Sequence, residues 1–90
     1  GNLDSGDAIH YTLMRIAEIY GWDVYKKAFR KLYNTPDSQL GRFNNNYEKF
    51  QCLMKYVSEA ATEIVGYQVD VTRTCYTPAE LEMIKKSLTK

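Results

Sequence analysis

Between Tyr47 and Ile64 the apolar residues keep a helical period for about five turns: Tyr47, Phe50, Leu53, Met54, Val57, Ala60, Ala61 and Ile64 share one stripe. A helix of that length has one apolar face that must be covered, and 90 residues is one domain's worth of chain. Asn45, followed three residues later by Glu48, reads as a capping box with asparagine as the cap. Gly66 reads as the stop, because a glycine enters the left-handed conformation that ends helices without steric cost.

The rest of the sequence supplies more helices. Ile9, Leu13, Ile16, Ala17 and Tyr20 predict a first helix from Asp4 or Ser5 to Tyr20, with Thr12, Arg15 and Glu18 on its opposite side. Asp4 or Ser5 is its expected cap, and Asp7 sits near the positive end of its dipole. Gly21 ends it. Trp22 is expected to fold back on Ala17 and pin a tight corner, and Asp23 to cap the next helix. That second helix runs over 24–33, with Tyr25, Ala28, Phe29 and Leu32 as its apolar stripe and Lys26, Lys27, Arg30 and Lys31 opposite. Pro36 turns Thr35 away from helical geometry, so NTPDSQLGRFNN reads as a long loop, anchored by Leu40 and Phe43.

YQVDVTRTCY fits either extended chain or one helical turn. The last helix opens on a strong signal: Thr77 as cap, Pro78 at the first helical position and Glu80 at the third. Leu81, Ile84 and Leu88 give it a narrow apolar stripe. The fold class that follows is all-α: one domain over 1–90, a small bundle of about four helices whose first two meet at a tight Gly-Trp corner.

Charge and composition narrow the function classes. A net charge of +1 gives no field that would draw nucleic acid or an anionic membrane. No apolar run approaches the ~20 residues that span a bilayer, and no signal peptide is visible. The chain begins with Gly1, the expectation being a fragment of a larger protein. Eight tyrosines suit half-buried helix flanks, with a binding surface as the sharper alternative.

Residues that carry chemistry are sparse. His10 is the one histidine, and with Cys52, Cys75 and a carboxylate it forms no familiar zinc spacing; a partly buried, hydrogen-bonded side chain is the expectation. Cys52 and Cys75 either pair or stay as two thiols, which geometry alone decides. Ser5, Ser38, Ser58 and Ser87 lack a nucleophile-elbow context. Glu59 and Glu63, one turn apart, read as a solvated face before they read as paired carboxylates. The cations of KKAFRK read as the polar side of a helix rather than a phosphate-binding surface. These readings predict no catalytic residue, no cofactor and no metal ligand; the residues singled out, Gly21, Trp22, Asp23, Pro36, Gly66, Thr77 and Pro78, are structural.

Tyr20-Gly21-Trp22-Asp23 with Phe29 and Tyr33 after it, and the run from Tyr47 through Ser58-Glu59 to Ile64-Val65-Gly66-Tyr67, together resemble the helical region that follows the zinc site in enhancin-like gluzincin metallopeptidases. The similarity spans roughly residues 8–72. Catalysis in that family lies upstream, in an HExxH helix with a further glutamate, so the resemblance carries no zinc ligand onto this chain. After Tyr67 the sequence departs from the family. What the resemblance implies is a non-catalytic helical domain, the C-terminal buttress or cleft wall of a larger metallopeptidase-related protein. The partner is then the rest of its own polypeptide, and the location extracellular or at the cell surface. The alternative is an autonomous module that binds a protein or a glycan through tyrosine-rich faces.

Overall fold

A computed structural model of the chain describes residues 5–89, so Asp4 lies outside the described residues. Six helices follow one another: α1 (Ser5–Tyr20), α2 (Asp23–Tyr33), α3 (Asp37–Leu40), α4 (Asn46–Val65), α5 (Val71–Thr74) and α6 (Pro78–Leu88). Four are the long helices expected. The two additions are single turns inside the connections, α3 in the stretch read as loop and α5 in the stretch read as ambiguous.

α4 is the axis of the molecule. α2 lies along it, α1 lies along α6, and α5 and α6 close on the remaining side. The Cα extents of 37 × 31 × 18 Å leave room for two helix layers, each about 10 Å across. Ile16, Val24, Met54, Val57, Val71 and Ile84 are fully enclosed between them. The α4 stripe is therefore the core face, as its period predicts, except that Ile64 near the C-terminal end is exposed.

The helix ends follow local chemistry. Gly21 and Gly66 both take positive φ, 85° and 81°, and each N–H donates back to a carbonyl four residues earlier. At α6 the box is complete: the Glu80 N–H donates to Thr77 Oγ1 (3.1 Å), and the Thr77 N–H donates to Glu80 Oε1 (2.9 Å). At α4 the box is shifted. Asn45 Oδ1 accepts the Glu48 N–H (2.9 Å), but the Glu48 carboxylate receives the N–H and side-chain amide of Asn44, one residue further out. Pro36, with φ −61° and ψ 145°, stands before α3 and holds the break after α2.

The segment after α4 belongs to the core. Val69, Val71, Cys75 and Tyr76 are buried. Two hydroxyls one turn apart on α4 strap it down: Thr62 Oγ1 accepts the Val69 N–H (3.0 Å) and Ser58 Oγ accepts the Val71 N–H (3.0 Å). Extended chain carries its amides outward, and these hydroxyls satisfy two that burial would otherwise orphan. Asp70 caps the single turn α5 that follows. The Phe50 and Tyr76 rings meet edge-on at 5.9 Å.

Five side chains depart from expectation. Thr12 is fully buried, because its hydroxyl donates to the carbonyls of Ala8 (2.9 Å) and Ile9 (3.0 Å) and so brings no unpaired polar atom inside. Arg15, on the same side, is drawn to Glu80. Trp22 does not fold back on Ala17; it is 68% exposed, with its ring tilted over Tyr25 at 6.0 Å. Asp23 is the first helical residue rather than the cap; the capping position falls on Trp22, whose side chain makes no capping hydrogen bond. The buried row of α2 is Val24 and Ala28, which turns Phe29 outward.

Candidate functional site

Of the chemical groups singled out from sequence, the fold brings no catalytic set together. His10 is exposed rather than partly buried, since it lies to the solvent side of Ile9 and Leu13 on α1. Cys52 is half-buried on α4, Cys75 is buried after α5, and the two are free thiols. Among the described residues no three His, Cys, Asp or Glu side chains group around a point that would hold a metal ion. Ser58 is used as the strap on Val71. Glu59 and Glu63 are both exposed, as a solvated face predicts.

Two ion pairs tie elements together. Arg15 forks onto both carboxylate oxygens of Glu80, at 3.0 Å each, and also donates to the Cys75 carbonyl. The hydrogen-bonded guanidinium holds the Glu80 carboxyl below the usual carboxylate range, against the upward push of burial. Lys31 Nζ lies 2.7 Å from Glu63 Oε1, which likewise draws the Glu63 carboxyl down, with Lys27 adding a smaller pull. Both bridges join helices far apart in sequence, α1 to α6 and α2 to α4. The Tyr25 hydroxyl donates to the Leu13 carbonyl across the corner, and burial pushes its pKa well above that of free tyrosine.

Two surface features have the makings of a binding site. One is a groove of about 480 Å³ between α4, the segment leading into α5, and α6. Phe50, Met54 and Val69 form its apolar side, and Lys55, Glu59 and Asp70 its polar rim. The other is the outer face of α2. Trp22 has helical φ and ψ (−64°, −20°), so the helical screw extends back through it. Phe29 and Tyr33 then stand seven and eleven positions on, each within about 20° of the Trp22 line. All three are exposed, by 68%, 42% and 84%. Lys26 and Arg30, both exposed, run beside that line one turn apart.

The aromatic row was missed from sequence because Phe29 was expected to face the core. Of the expected stripe of Tyr25, Ala28, Phe29 and Leu32, Ala28 is buried and Tyr25 and Leu32 are half-buried, while Phe29 gives way to Val24 on the other side of Ala28. Val24 and Ala28 take the contact, since the close approach of α2 to α4 favours small residues there. The spacing of Trp22, Phe29 and Tyr33, nearly opposite Val24, was the available signal.

Among the described residues no helix is long and apolar enough to cross a membrane. Compared with known proteins, the chain matches no family model, no curated protein and no solved structure.

Proposed function

We propose that this chain is a non-catalytic helical domain that buttresses a larger, enhancin-like metallopeptidase-related polypeptide and forms one wall of its cleft. One observation carries the reading. Several side chains on which the resemblance rests, Trp22, Phe29, Tyr33 and Tyr67, stand in solvent instead of serving the chain's own core. Large aromatics held outside a core contribute little to the fold that carries them, and they gain free energy when another surface covers them. A domain laid against a catalytic body has a reason to keep such a row; a domain that only packs on itself does not.

The test is the polypeptide to which residues 1–90 belong. An HExxH helix upstream of Asn2, and loss of peptidase activity when the region matching residues 5–89 is deleted from that polypeptide, is the expected result. A polypeptide with no such helix would end the reading.

The groove favours a second reading, an autonomous module that binds a protein or a glycan. Its apolar side and its carboxylate and ammonium rim alternate over a space large enough for a small ligand. Saturable binding of a peptide or oligosaccharide to the chain, lost in Asp70→Ala or Lys55→Ala, would favour this module.

A further inference from the structure

We propose that the outer face of α2 docks an amphipathic helix whose apolar ridge is flanked by carboxylates, carried by the polypeptide that this domain buttresses. The inference rests on that reading only for where the partner lies; its chemistry comes from α2 itself.

The row of Trp22, Phe29 and Tyr33 is straight, convex and about 16 Å long, at 1.5 Å of rise per residue. That is three turns, the length over which two packed helices share a seam, with anchors at i, i+7 and i+11. Lys26 and Arg30 flank the row at i+4 and i+8, a spacing matched by carboxylates four residues apart on a facing helix. These two cations have no ion-pair partner among the described residues, whereas Lys31 is already neutralised by Glu63. Exposed Asp23 stands on the same flank at the start of α2, so the two cations leave that flank net positive, and its complement is acidic.

The same details disfavour two other occupants. A single-stranded nucleic acid needs a cationic groove that follows its backbone and aromatic rings at regular base spacing. Here the rings are spaced unevenly, seven and then four residues apart, on a convex ridge rather than in a groove. A second copy of this chain, packed antiparallel through the same face, would set Lys26 and Arg30 against themselves.

Trp22 is the single tryptophan of the chain, so its emission reports on the row directly. The probe is a synthetic helical peptide of about 18 residues, long enough to hold helix on docking, with leucines along one face and glutamates on both flanks. The expected result is a saturable blue shift of Trp22 emission. Lys26→Glu with Arg30→Glu should weaken it by roughly tenfold or more. Lys85→Glu with Lys86→Glu, an equal charge change on the exposed end of α6, should leave it unchanged. Far-UV circular dichroism checks that both variants fold. Equal binding of a peptide with glutamine in place of glutamate would overturn the inference. So would tighter binding of oligothymidylate, or sedimentation of the chain as a dimer with Trp22 already blue-shifted. An upstream polypeptide without a peptidase helix removes the buttress reading and leaves the peptide result standing, so the two can fail separately.

Discussion

The start of α6 and the corner between α1 and α2 are both places where the chain turns sharply into a helix, and both carry strong local signals. At α6, Thr77, Pro78 and Glu80 do what their types suggest, and Glu80 goes further: the carboxylate that closes the capping box also receives the Arg15 fork from α1. At the corner, Gly21 supplies the left-handed turn, but its neighbour Trp22 projects into solvent and Asp23 caps nothing. One junction is satisfied by the domain itself. The other has a satisfied backbone and a large side chain that the domain does not use. The difference separates what a helix end needs from what a surface offers, and the exposed ring at the corner is why we propose the interaction face there rather than at α6.

That contrast breaks most readily at Ile84, which lies one turn beyond Glu80 and is fully enclosed. Ile84→Ala should cost about 2–5 kcal/mol, by lost burial and the cavity left behind. Urea unfolding should show a lower midpoint with an unchanged slope. In a chain of this size, whose total stability is of order 5–10 kcal/mol, that is a large share.

Glu80 separates capping from pairing. Glu80→Ala removes both and leaves the Arg15 head half-buried without its carboxylate, for an expected loss of about 1–3 kcal/mol. Glu80→Gln keeps a side chain able to close the box and should cost less, about 0.5–1 kcal/mol. The pH dependence follows from the sign of the shift. Folding lowers the Glu80 pKa, chiefly through the Arg15 hydrogen bond, below the ~4.3 at which an unfolded glutamate titrates. Between those two values the unfolded chain binds more protons. The contribution is complete above the unfolded value and is lost as pH falls through the folded one. Glu80→Gln should therefore flatten the acid side of the stability profile; an unchanged slope would show that other carboxylates set it. Glu63 shifts in the same direction but is exposed, so its pair with Lys31 should matter less.

The corner's backbone comes next. No atom lies within 4 Å of where a Cβ on Gly21 would stand, so Gly21→Ala meets no clash, and its cost is the positive φ alone. That is about 1 kcal/mol, read as a lower melting temperature. A larger loss would mean that the two helices also shift.

What was legible in the sequence follows the range of each interaction. Gly21, Gly66, Thr77-Pro78 and the α4 stripe depend on neighbours within one or two turns, and these the sequence states openly. Thr12 was misplaced because its burial depends on a hydroxyl bond to its own preceding turn, which polarity alone does not reveal. Val69 to Tyr76 entered the core through Ser58 and Thr62, two α4 hydroxyls whose role exists only once the chain has returned to them. The aromatic row on α2 was hidden for a related reason. Large rings in a helix are expected inward, and only the close contact of Val24 and Ala28 with α4 decides that Phe29 points out. The candidate surface thus lies where local pattern and tertiary packing disagree.

The smallest predicted effects are therefore the most informative about function. Trp22 touches Tyr25 at 6.0 Å and is otherwise open to solvent, so Trp22→Ala should change stability by less than about 1 kcal/mol. Tyr33, at 84% exposure, should be neutral to within about 0.5 kcal/mol as Tyr33→Ser. Tryptophan and tyrosine are costly residues to replace inside proteins, and near-zero losses at both positions would mean that neither ring serves this fold. If Trp22→Ala instead costs as much as Ile84→Ala, the ring packs inward in solution, the corner resembles the start of α6 after all, and the case for an outward-facing row on α2 collapses with it.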